Sequence, residues 1–288
     1  MSEKTNAIIK MLNDGVEAVF DSENFKKYLK FMASFRQYSF GNTLLIMLQK
    51  PDASYVASFS DWKNKHHRIV KKGEKGLKII APHVYTEKRE GEDDVQRIGY
   101  HIAYCFDISQ TEPDALHADT AEDIPDICRT IDVALCDRDY NLFDVLIESV
   151  CPVPVSFGKI KGKANGYYDP ENLQIVLNEK IQGKVQAIST LLHEASHAWL
   201  HCNDGTEKEA DRATKEADRA TKEVQAQAVA FIVASYIGYD VSDYSFEYIG
   251  SWSKDRTHKE LTNSLDVIRK TSNEMIERIE ERLMKDVA

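Results

Sequence analysis

Residues 190–201 read TLLHEASHAWLH. Within them His193, Glu194 and His197 spell H-E-x-x-H, and on a helix residues four apart lie one above the other. Both imidazoles can then reach one ion, with the glutamate beside it. In zinc hydrolases that glutamate takes a proton from a water whose pKa the ion has lowered to about 7. Ile188, Leu191, Leu192, Ala195, Ala198, Trp199 and Leu200 make the helix apolar enough for burial. A buried His-Glu-His cluster is costly unless something satisfies it. The competing reading is a surface helix with satisfied structural histidines. His201, four residues further on, reads as a group behind the ligands or as an exposed histidine at the helix end.

Catalytic zinc usually has three protein ligands plus water. The third is expected from the next helix, which follows the turn NDG (203–205) and runs to about Ile237. In TKEVQAQAVAFIVASY (221–236), Glu223 is the last carboxylate before the apolar segment and is the expected ligand. Glu216 competes, because EADRATK at 209–215 recurs at 216–222 and sets it in the same local context. Seven residues are about two helical turns, so this duplication lengthens a helix and roughly keeps its faces. Gln225 and Gln227 lie in the same segment, and glutamines are poor zinc ligands. A third helix is expected from about Thr257 to Met284, with Leu261, Leu265, Ile268, Met275, Ile279 and Leu283 on one face. Upstream, NLFDVLIESV (141–150) reads as helix and VPVSF (153–157) and LQIVLN (173–178) as strands. The Gly/Lys-rich GKIKGKANG (158–166) between the strands reads as a turn region.

The 288 residues are 42% hydrophobic and 29% charged, a globular composition long enough for two domains. No apolar run approaches the roughly 18 residues of a membrane helix, and the first ten residues lack a secretory pattern. Five cysteines, odd in number and without a C-x-x-C pair, suit free thiols in a reducing cytoplasm. The net charge of −10 is uneven: residues 1–115 sum to +1 and the remainder to −11.

The first third opens with helical spacing in Ile8, Ile9, Met11, Leu12, Val16 and Val19. Asp21 or Ser22 caps a second helix carrying Phe25, Tyr28, Leu29 and Met32. TLLIMLQK forms a short helix stopped by Pro51. LKIIAPHVYTEK (77–88) and VQRIGYHIAYCFDIS (95–109), separated by REGEDD, predict a β-hairpin or two neighbouring strands, so the fold class is α+β. The acidic QTEPDALHADTAEDIPD (110–126), with two prolines, is the best linker in the chain. The expected division is a domain over 1–115, a linker over 116–130, and a mainly helical domain with a small sheet over 131–288.

Lys63, Lys65, Arg68, Lys71, Lys72, Lys75 and Lys78 set seven positive charges against Glu74 in sixteen residues. Glycines at 73 and 76 let backbone N–H groups approach phosphate. Tyr38, Phe40, Tyr55, Trp62 and His66 are candidates for base stacking, worth ~1–3 kcal/mol per base in single-strand binders. The plainer reading is a solvated basic face with Trp62 packing a helix against the sheet.

Two stretches carry a family resemblance. HEASHAWLH followed by KEVQAQAVAFIV, with GYYDPENLQIVLN before and DYSFEYIGSWS (243–253) after, resembles the gluzincin-type metallopeptidase domain of the ArdC and LtrC-like antirestriction proteins of conjugative elements. Residues 38–82 resemble the ArdC N-terminal single-stranded-DNA-binding domain through Tyr38, Ser39, Asn42, Gln49, Pro51, Trp62 and the run from Val70 to Gly76. The resemblance implies a protein of a mobile element that binds single-stranded DNA and protects incoming DNA from restriction. It would do so either by cleaving a protein substrate or as a DNA-coating protein whose zinc site is only structural. Composition adds the cytoplasm and no membrane association. The resemblance also implies Zn2+ on His193, His197 and Glu223, with Glu194 as general base. The DNA contacts it implies are Tyr38, Asn42, Trp62 and the seven basic residues of 63–78. One departure bears on metal affinity: the family position matching Gln227 is usually acidic.

Overall fold

The computed structural model describes residues 3–87, 95–116, 142–181, 183–201, 212–239 and 244–285. It divides into two compact units, residues 1–18 with 37–129 and residues 19–36 with 130–288. No described helix is long and apolar enough to cross a membrane.

In the first unit the apolar spacing gives α1 (Glu3–Val19) and α3 (Phe40–Gln49), the latter capped by the Ser39 hydroxyl. Strands β1 (Val56–Ser58), β3 (Leu77–Glu87) and β4 (Val95–Asp107) form an antiparallel sheet in the order β1-β4-β3. The expected hairpin is β3–β4, registered from Leu77↔Cys105 to Glu87↔Val95. As an edge strand β3 exposes unpaired backbone groups. Two side chains of α3 close part of that edge. The Asn42 amide donates to the Ile80 carbonyl and accepts from the Ile80 N–H, both at 2.9 Å. Gln49 does the same at Lys78, also at 2.9 Å each. Helix α4 (Phe59–Asn64) presses Trp62 into a cluster with Tyr55, Ala57 and Ile108. Strand β2 (Arg68–Val70) pairs with β5 (Thr111–Pro113), so the start of the expected 110–126 linker is structured. Residues 117–126, and most of the expected 116–130 segment, lie outside the described residues.

The second unit is built round α7 (Arg212–Tyr236), which is buried at almost every position from Val224 to Tyr236. A helix apolar all round needs neighbours on every side. Here these are α2 (Ser22–Ser34), α6 (Lys184–His201) and α9 (His258–Lys285). Helix α2 groups with this unit although it precedes the boundary expected at residue 115. Its Phe25, Tyr28 and Leu29 are fully enclosed, and the Phe25 ring meets Phe246 edge-on at 5.1 Å. Arg36, just beyond it, makes a two-pronged ion pair with Glu280 of α9 at 3.0 and 3.1 Å. Helix α5 (Leu142–Val150) packs on α6 and α9, and α8 (Ile249–Lys254) on α2 and α7.

The small sheet has the order β6-β8-β7, with β6 (Val155–Gly158) parallel and β7 (Gly166–Asp169) antiparallel to β8 (Gln174–Asn178). Strands β6 and β8 fall where the sequence placed them. Strand β7 occupies a stretch without apolar alternation and forms the sheet edge that faces α6.

Candidate metal centre

Helix α6 buries Leu191, Leu192, Ala195 and Ala198 and turns His193, Glu194 and His197 towards its partly exposed side. The two imidazoles meet through Nε2 atoms 3.2 Å apart. Glu223 arrives from α7, with Oε1 3.2 Å from His193 Nε2 and Oε2 3.3 Å from His197 Nε2. An ion with arms of 2.0–2.1 Å in tetrahedral coordination has ligand–ligand edges of about 3.3 Å. The observed triangle therefore fits a divalent metal ion. Among the described residues, this trio is the group of His, Cys, Asp and Glu side chains so arranged. The side chain of Glu216, the competing carboxylate, lies outside the described residues.

The charges are mutually supporting. Hydrogen bonds from His193 and His197 hold the Glu223 carboxyl well below the usual carboxylate range. Burial presses His193 towards neutrality, but the Glu223 carboxylate outweighs it and leaves the imidazole pKa above its ordinary value. Glu194 stands outside the triangle. Burial pushes its pKa up, and the two histidines only partly oppose that. Its Oε2 accepts the backbone N–H of Tyr168 on β7 at 2.8 Å. His201 lies behind His197, ring to ring at 5.6 Å, and is not one of the three donors.

A cleft of about 330 Å³ opens beside these groups. Asn165 and Gly166 bound it on one side, Ser189 and Thr190 of α6 on another, with Gln227 of α7 and Tyr244 completing the wall. Gly166 is there because β7 lies hard against α6. A Cβ at this position would come within 2.7 Å of Thr190 Cγ2, 2.9 Å of Leu177 Cδ2 and 3.2 Å of the Val176 carbonyl. Sequence reading named the stretches GYYDPENLQIVLN and DYSFEYIGSWS by resemblance but did not single out Gly166, Tyr168 or Tyr248 as site elements. Gln227 is fully engaged: its Oε1 accepts the Tyr248 hydroxyl and its Nε2 donates to the Ser245 carbonyl, each at 2.6 Å. Gln225 donates to the Ser264 hydroxyl at 3.2 Å. Among the described cysteines, Cys105 and Cys151 have thiols pushed up to about 12 by burial, so neither is a thiolate nucleophile at neutral pH.

The residues expected to touch DNA divide sharply. Trp62 is wholly enclosed, with its indole N–H on the Phe106 carbonyl at 2.8 Å, and has no ring face to offer a base. This corrects its placement as a contact: it is a core residue. Tyr38 donates its hydroxyl to the Val56 carbonyl at 2.9 Å, and Asn42 spends both ends of its amide on β3. Tyr55 and His66 are buried and bonded to each other. Arg68 is half-buried, with Nε on the Thr111 hydroxyl at 2.8 Å. Lys65 pairs with Asp61 at 2.6 Å, and Lys71 donates to the Ser109 carbonyl at 3.0 Å. Lys63, Lys65, Lys71, Lys72, Lys75 and Lys78 are all exposed. The turn bearing Lys71, Lys72 and Lys75 is fixed from below by buried Gln110, which donates to the Glu74 carboxylate and the Lys75 carbonyl. Gly73, at φ +93°, supplies its left-handed residue.

Residues 1–115 match the family model described as the N-terminal domain of anti-restriction factor ArdC. The uncharacterized protein pXO2-81 of Bacillus anthracis is 26% identical over 324 aligned residues, covering 98% of this chain and 52% of the relative. The chain thus spans about half the length of that relative. The metal-free crystal structure of the antirestriction protein ArdC from plasmid R388 aligns with a TM-score of 0.52 at 16% identity, covering 84% of this chain and 85% of that one. A Mn(II)-bound structure of the same protein aligns at 0.48, with 17% identity and coverage of 86% and 84%. Residues 1–115 thus resemble the ArdC N-terminal domain, and the chain shares the α+β fold of the ArdC structure.

Proposed function

We propose that this chain is a zinc-dependent peptide hydrolase joined to a unit that binds single-stranded DNA, and that it serves a mobile element as an antirestriction protein in the cytoplasm. The observation that carries the hydrolase reading is the triangle of His193, His197 and Glu223, with Glu194 beside it and a cleft in front. Two imidazoles and one carboxylate are the donor count of a catalytic zinc site, which keeps one position open. A bound zinc ion would supply Lewis-acid polarisation of a carbonyl and acidification of water. Glu194 is the general base. Burial raises its proton affinity towards the working range, and the Tyr168 N–H fixes one of its oxygens while the other accepts the proton of the attacking water. The same carboxyl then hands that proton to the departing amine.

The DNA reading rests on the exposed lysines of residues 63–78 and on the family of residues 1–115. A chain whose only task is to coat DNA is the competing account. The test measures bound zinc and manganese together with hydrolysis of a mixed peptide library, since imidazole and carboxylate donors also accept other divalent ions. About one zinc per chain is expected, lost in Glu223→Ala and kept in Glu194→Gln, with hydrolysis lost in both. Hydrolysis that survives Glu194→Gln would overturn the assignment of the base. A zinc-free, inactive wild type that still binds single strands would favour the coating protein.

A further inference from the structure

We propose that Gln227 is a positioning residue that clamps the 244–248 segment as the wall of the cleft, and is not a metal ligand the chain has lost. The inference rests on the hydrolase reading above. Gln227 lies one turn beyond Glu223 on α7, where a second acidic ligand could stand. Its surroundings call for an amide instead. The Ser245 carbonyl can only accept, so the group facing it at 2.6 Å has to be the Nε2 donor. That orientation turns Oε1 to the Tyr248 hydroxyl, also at 2.6 Å. A carboxylate at 227 would keep the tyrosine bond but set oxygen against oxygen at Ser245.

The segment is held on its other side by α2. Lys26 donates its ammonium to the Tyr244 carbonyl at 3.0 Å, and Phe25 packs edge-on against Phe246. The segment is thus tied to both helices: Tyr244 to Lys26 of α2 and Phe231 of α7, Phe246 to Phe25 and the same Phe231, and Ser245 and Tyr248 to Gln227 of α7. Tyr244 and Gln227 line the cleft themselves. The clamp therefore sets the width available to anything longer than the group that binds the metal. Metal affinity does not depend on it.

The full chain, loaded with Co(II), offers a visible spectrum that reports ligands at the metal. Acetohydroxamate probes the metal alone, and a tripeptide hydroxamate with small side chains probes metal and cleft together. Gln227→Glu and Tyr248→Phe are expected to leave Co(II) and acetohydroxamate affinity within about threefold. The same variants should weaken the tripeptide hydroxamate by about tenfold, the scale of one lost hydrogen bond. Amide exchange at residues 244–248 should rise by a similar factor. Tenfold tighter Co(II) binding by Gln227→Glu would show a vacated ligand position and overturn the proposal. So would unchanged tripeptide hydroxamate binding in both variants. If the unaltered chain binds no Co(II), the hydrolase reading fails, and exchange in the metal-free chain decides the clamp: faster exchange at 244–248 supports it, and unchanged exchange sinks it.

Discussion

Gly166→Ala separates the packing described here from ordinary glycine chemistry by the sign of its effect. In an unstrained strand with open space, replacing glycine by alanine stabilises by about 0.4–1 kcal/mol, because the unfolded chain loses freedom. At residue 166 the new methyl would meet Thr190 Cγ2 at 2.7 Å, Leu177 Cδ2 at 2.9 Å and the Val176 carbonyl oxygen at 3.2 Å. The leucine end can swing aside, but the carbonyl and the helix-borne threonine cannot do so without moving β7. Overpacking of this kind costs about 1–3 kcal/mol, which leaves a net loss of ~1–2 kcal/mol after the entropic gain. For a unit of this size the melting temperature falls by about 2–4 °C per kcal/mol. Thermal unfolding of the full chain measures it. Repeating the substitution in a Thr190→Ser background removes the closest methyl and keeps the hydroxyl bond to the Gln186 carbonyl. The cost should then shrink by about 1 kcal/mol through coupling of the two sites. A neutral or stabilising Gly166→Ala, or an equal cost in both backgrounds, refutes the close contact of β7 with α6.

Trp62→Phe keeps the ring buried but leaves the Phe106 carbonyl without its donor. It should cost about 1–3 kcal/mol in urea unfolding, with single-strand affinity unchanged. Lys72→Ala with Lys75→Ala should flatten the salt dependence of oligonucleotide binding, read by fluorescence anisotropy, by about 1.4 in the log–log slope, with no change in stability. Lys65 and Ser58 hold the Asp61 carboxyl below its ordinary pKa by hydrogen bonding. The stability it contributes is present above the unfolded value and is lost as pH falls through the depressed one. Asp61→Asn should therefore flatten the acid limb of the stability profile, below the ordinary aspartate range, and leave the neutral-pH slope unchanged.

The clustering of His193, His197 and Glu223 was legible because its physics is local. Four-residue spacing puts His193 and His197 on one helix face, and Glu223 is the last acid before an apolar run. The helices were equally plain: Asp21 caps α2 and apolar spacing marks its buried face. Strand β7 was not legible. Its two tyrosines do not alternate with polar residues, and it is a strand only because β8 and α6 lie beside it. The aromatic landmarks misled for a related reason. Residue type shows that Trp62 and Tyr55 are large and stack well, but only the tertiary fold decides whether they stack on bases or on each other. The grouping of α2 with the second unit was hidden too, since nothing in its own sequence points to a partner 200 residues away.

That last arrangement has a cost during synthesis. Phe25, Tyr28 and Leu29 leave the ribosome some 200 residues before the α7 and α8 surfaces that pack on their helix. At 5–20 residues per second that is a wait on the order of 10–50 s. Throughout it, an amphipathic helix with an open aromatic face is available to chaperones and to neighbouring nascent chains. Steady-state yield in the cell should then depend on holdase capacity more than the finished protein's stability would suggest.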